Sequence, residues 1–121
     1  MHAHGAAARQ LLGEQSGIVG EVFADVTTAN ISEKLRALLV IADKVRRDGR
    51  LVTDEDVSRA REAGADDKAI HDTVLVAAMF SMFNRYVDGL ATWTPTDPKV
   101  YEAIGQRLAM QGYGSRFRES N

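Results

Sequence analysis

Apolar residues recur along this chain at intervals of three and four and never in the alternation of a half-buried strand, so the pattern predicts helices throughout. His4, Ala7, Ala8, Leu11 and Leu12 fall at i, i+3, i+4, i+7 and i+8 and draw one stripe along a first helix that Gly13 stops. A short second helix is expected from about Gly17 to Val26, with Ile18, Val19, Val22, Phe23 and Val26 inward. In SEKLRALLVIADKVRRDG, Ser32 is the expected N-cap and Leu35, Leu38, Leu39, Ala42 and Val45 the inward face. Arg46 and Arg47 suit its C-terminal dipole, and Gly49 the left-handed cap.

TDEDVSRAREAG opens with Thr53 as N-cap and three acids where the helix dipole favours them, and it ends at Gly64. From Asp66 follows the longest and most apolar segment, DDKAIHDTVLVAAMFSMFNRYVDGLAT. A helix hydrophobic nearly all round belongs at the centre of a fold or in a subunit interface. WTPTDP then breaks the chain, and Pro98 at the first helical position starts a last helix, PKVYEAIGQRLAMQG, closed by Gly112. The polar tail GYGSRFRESN is expected to fray or to lie across a neighbour. The expectation is an all-α protein of about six helices in a single domain over residues 1–121.

Composition narrows the chemistry. The 15 Lys/Arg stand in ones and twos among 17 acids, with a formal net charge of -2, so the concentrated basic patch of a nucleic-acid binder is missing. The longest apolar run, Thr73 to Phe83, is too short to cross a bilayer core that needs about 20 residues. No charged segment followed by an apolar one marks the N-terminus as a signal peptide, which makes a cytoplasmic setting the expectation. The absence of cysteine excludes disulfides, thiolate zinc sites and a cysteine nucleophile from this chain. No cofactor is expected.

Three histidines, Arg85 and the polar positions of the longest helix are the candidates for chemistry. Thr73, Ala77, Ser81, Asn84 and Asp88 fall within an arc of roughly 80° on that helix. This stripe is either structural, with Ser81 bonding back to a helical carbonyl and Asn84 and Asp88 tying loops, or the floor of a pocket. His71 and Asp72 are adjacent and should point apart, so a structural role for His71 is preferred to a catalytic dyad. Arg85 should form a structural ion pair with Asp88 or with Asp72 of another helix. His2 and His4, two residues apart, face different sides of a helix and make a poor chelate, so no metal site is expected.

Three stretches taken together suggest a family: a His-Gly/Ala-rich start, ISEKLRALLVIADKV, and VTDEDVSRAREAGADDKAIHDTVLVAAMFSMFNRYVDGL. Their order and spacing, from about residue 3 to residue 92, resemble the alkylhydroperoxidase AhpD-like and carboxymuconolactone decarboxylase superfamily, especially its peroxidase-related branch. The resemblance implies an AhpD-like helical bundle and a homo-oligomer, trimer or hexamer. Active members carry Cys-x-x-Cys-x-x-x-His, and the resemblance places His4 on that histidine, with HGAAAR as the small-residue turn after it. The second cysteine of the motif would then fall one position before Met1. Two expectations stay open: a longer natural chain that carries the cysteines, or a cysteine-less member.

Without a thiolate, thiol peroxidase activity is expected to be absent from this chain. The decarboxylase branch works without cysteine, and His4, His71 and Arg85 could supply a base and a clamp for a small acidic lactone. A third reading is a non-catalytic oligomeric binding module.

Overall fold

Side-chain caps set most helix boundaries. The computed structural model describes residues 2–114, His2 by its backbone alone, so the side chain of His2 and the tail from Ser115 onward lie outside the described residues. Helix α1 runs His2–Leu12, α2 Gly17–Ala24, α3 Glu33–Arg47, α4 Asp54–Glu62, α5 Asp67–Gly89 and α6 Pro98–Gln111. Short 3-10 turns at Gly13–Gln15 and Gly49–Leu51 follow α1 and α3. The chain is all-α with six α-helices and no strand among the described residues, as its periodicity predicts.

Ser32 Oγ accepts from the Leu35 amide at 3.2 Å, and the Asp66 carboxylate accepts from the Ala69 amide at 2.7 Å. Asp97 accepts from the Lys99 amide at 2.9 Å ahead of α6, where Pro98 opens the helix. Thr53 and Asp56 cap α4 reciprocally: the Asp56 amide donates to Thr53 Oγ1 at 3.3 Å, and the Thr53 amide donates to the Asp56 carboxylate at 2.8 Å. Two ends depart from expectation. Gly49 does not take a positive φ; Asp48, extended at φ −161°, ends α3, and its carboxylate accepts from the Arg50 amide at 2.9 Å to start the next turn. Helix α2 stops at Ala24 because Asp25 is extended.

The chain forms two compact units. One holds α1, α2 and α6, and there α1 packs on α6. The sequence stripe is inward only in part: Ala7 and Ala8 are half-buried, while Leu11 and Leu12 are exposed and Gly5, outside the stripe, is buried. The physical reason is close approach through the smallest residues. A Cβ added at Gly105 of α6 would lie 2.5 Å from Ala6 Cβ and 2.7 Å from both the Ala6 carbonyl carbon and the Ala7 nitrogen. The ring of Phe23 from α2 lies over Gly5, 3.6 Å from where a Cβ would stand. The run Gly5-Ala6-Ala7-Ala8 serves this contact.

The second unit, residues 26–92, holds α3, α4 and α5. Its core is Ile41, Ala60 and Ala65, flanked by Ala37, Leu38, Val45, Val52, Ala69 and Ile70. Helix α3 is turned from the expected face: Leu35 is exposed, and Ile41, outside the expected stripe, is fully buried. The cause is Lys44, whose Nζ donates to both carboxylate oxygens of Asp56 on α4, at 2.7 and 2.6 Å. That pair holds the Ala37–Ile41–Lys44 side of α3 against α4. Arg36 fastens the preceding loop, donating to the carbonyls of Ala29 at 2.9 Å and Ile31 at 3.4 Å, and to that of Val26.

Gly105→Ala should destabilise the first unit by about 1–3 kcal/mol in denaturant unfolding, because backbone atoms of α1 must move; this outweighs the gain of about 1 kcal/mol expected for Ala in an open helix. Asp56→Ala, which strands the Lys44 charge and removes a cap, should cost about 3 kcal/mol. Lys44 first, and then the Thr53 amide, hold the Asp56 carboxyl below its ordinary value of 3.8. The folded state therefore takes up this proton after the unfolded state. Its contribution is whole above pH 3.8 and is lost as the pH falls below that value, so acid unfolding curves of the wild type and Asp56→Asn should converge there.

Candidate functional site

The candidate residues divide between the two units. His4 lies on α1, and its Nε2 shares a hydrogen bond with the Tyr113 hydroxyl, 109 positions away along the chain. The two ring centroids are 6.0 Å apart. Partial burial pushes the His4 pKa below its ordinary 6.5, which leaves a neutral imidazole at pH 7. A neutral ring next to a phenol can relay a proton, and nothing in this pair supplies the electron-rich sulfur of a peroxidase. No sequence signal pointed to Tyr113; only the fold brings it to His4.

The other candidates share α5. His71 is exposed, and its Nδ1 lies 3.3 Å from Asp72 Oδ1, so the two neighbours meet despite their divergent directions on the helix. The imidazole is long enough to reach back across one residue. Asp72 also holds Lys68. Thr73 Oγ1 donates to the Ala69 carbonyl at 2.7 Å and Ser81 Oγ to the Ala77 carbonyl at 2.8 Å, each one turn earlier. The structural reading thus holds for these two hydroxyls. Asn84 and Asp88 are exposed, and their side chains tie no loop among the described residues. Arg85 makes no ion pair among the described residues, neither with Asp88 nor with Asp72; it borders an open groove with Ser81, Ala78, Val74, Val45 and Val52. Among the described residues no three His, Asp or Glu gather to hold a metal.

Helix α5 does not lie at the centre of a core, as its composition suggested. Ser81 is its one buried residue, at 9% exposure. Ile70, Thr73, Ala77 and Ser81 form the side turned to α3, and the large side chains look outward. Leu75, Met79, Met82 and Tyr86 remain between 39% and 65% exposed, flanked by exposed Val76, Phe83 and Leu90. The four recur at intervals of four, three and four, the spacing of a coiled-coil seam. Sequence periodicity could have found that spacing; the even greasiness of the segment hid it.

No described helix is long and apolar enough to cross a membrane. Comparison with protein-family models, with curated proteins and with solved structures gives no match.

An NMR titration of the His4 ring should give a midpoint below 6.5, and the stability that the neutral ring lends should be whole above that pH and decline as pH falls through it. A midpoint above 6.5 would instead mark an ion pair with a carboxylate.

Proposed function

We propose that this chain is of the AhpD-like and carboxymuconolactone decarboxylase-like kind, that with no cysteine among its 121 residues it supplies no thiol chemistry itself, and that it works as an oligomeric binding module. The supporting observation is the outward apolar face of α5. Contiguous exposed apolar surface of this extent marks an interaction site rather than an ordinary solvated face. A trimer or a hexamer belongs to the same reading.

The lactone-decarboxylase alternative fares less well. His71 and Arg85 stand 14 residues apart on one straight helix, which separates them by about 21 Å along its axis. A small acidic lactone cannot touch both.

Light scattering of the purified chain should return a multiple of the monomer mass at micromolar concentration, and peroxide consumption with a dithiol reductant should not exceed the protein-free rate. A monomer contradicts the assembly reading, and dithiol-dependent turnover contradicts the non-catalytic one.

A further inference from the structure

We infer that the exposed seam of α5 docks on the same seam of a second copy of this chain, with the two helices antiparallel about a two-fold axis. The inference rests on the assembly reading and deepens it by naming the partner and the contact.

Three observations carry it. Leu75, Met79, Met82 and Tyr86, at intervals of four, three and four, fit another helix, since knobs at this spacing fill the holes of a facing helix. With Val76, Phe83 and Leu90 they leave on the order of 700 Å² of side-chain surface open, near the roughly 800 Å² that each partner gives to a standard interface. The third is charge. Lys68 and Asp72 extend the seam toward the start of α5.

A parallel pair would set Lys68 beside Lys68 and Asp72 beside Asp72. An antiparallel pair lays Leu75 against Tyr86 and Met79 against Met82, and moves the two copies of Lys68 and of Asp72 to opposite ends of the contact. Its helix dipoles also oppose. The methionines at the middle adapt their shape to their counterparts. Such a contact is isologous, so it closes in even numbers; it fits a hexamer or a dimer and not a simple three-fold ring.

The lack of native cysteine makes the test clean. Leu75→Cys and Tyr86→Cys, both at exposed positions, are prepared separately with tags of different size, then oxidised alone and mixed. Antiparallel pairing predicts a mixed disulfide in the mixture and none in either variant alone. Like residues would then be about 16 Å apart along the axis, far beyond the Cα separation of roughly 4–7 Å that a disulfide spans. Self-linking of each variant alone means parallel packing and overturns the inference. As a second measurement, Met82→Glu should reduce the molar mass from light scattering to that of the monomer. Leu11→Glu, at an exposed apolar position of α1, should leave the mass unchanged. An oligomer that survives Met82→Glu overturns the seam while leaving assembly standing. A wild-type monomer removes both.

Discussion

One helix cannot be covered by one neighbour when it is apolar on every side. Helix α5 meets this constraint mainly with α3, which takes the narrow side with Ile70, Ala77 and Ser81, while Ala69 and Ile70 also reach the core at Ala60 and Ala65; the large side chains from Leu75 to Leu90 stay exposed. A unit the size of residues 26–92 has too little interior to enclose a 23-residue helix, because the surface buried on folding shrinks with chain length. The outward stripe is therefore a consequence of size and composition together.

The rotation of α3 goes with a charge pair that ties it to α4. Lys44 reaches Asp56 across to α4, and Asp56 at the same time caps α4 through Thr53. One carboxylate, 8% exposed, thus sets both where α4 begins and how α3 is rotated. With Lys44 committed to α4, Ile41 goes to the core, and Leu38 and Val45 pack around it. Moving any one of these groups changes the surface on which α5 rests.

The element boundaries were legible because caps act locally. Ser32, Thr53, Asp66, Asp97 and Pro98 each bond or constrain backbone within three residues, and sequence shows residues three apart. Gly49 misled since a glycine permits a left-handed cap without requiring one, and Asp48 offered the chain a competing turn. Facing was harder. In α1 the leucines advertised one side, while Gly105 on α6 chose the opposite virtue, a place where backbones can touch. A lone glycine inside the α6 pattern was the available hint. The His4–Tyr113 contact spans nearly the whole chain and had no local trace. Arg85 was expected to find an ion-pair partner and makes none among the described residues.

The interior of α5 carries hydroxyls and its exterior carries methionine, phenylalanine and tyrosine, which inverts the usual order. The inversion is cheap on the inside. Thr73 and Ser81 return their protons to carbonyls of their own helix, so each behaves toward α3 as a small, nearly satisfied group. Small groups let α3 and α5 approach closely. Burying larger residues there would have widened the gap and lost contacts on both helices, as dense packing penalises voids and overfilling alike. On the outside the logic runs the other way. Stabilisation from burial grows with the area removed from water, and the largest side chains contribute most where a second surface can cover them. A helix arranged in this manner divides its residues between close packing within the chain, by its small side chains, and an apolar surface left open on its large ones.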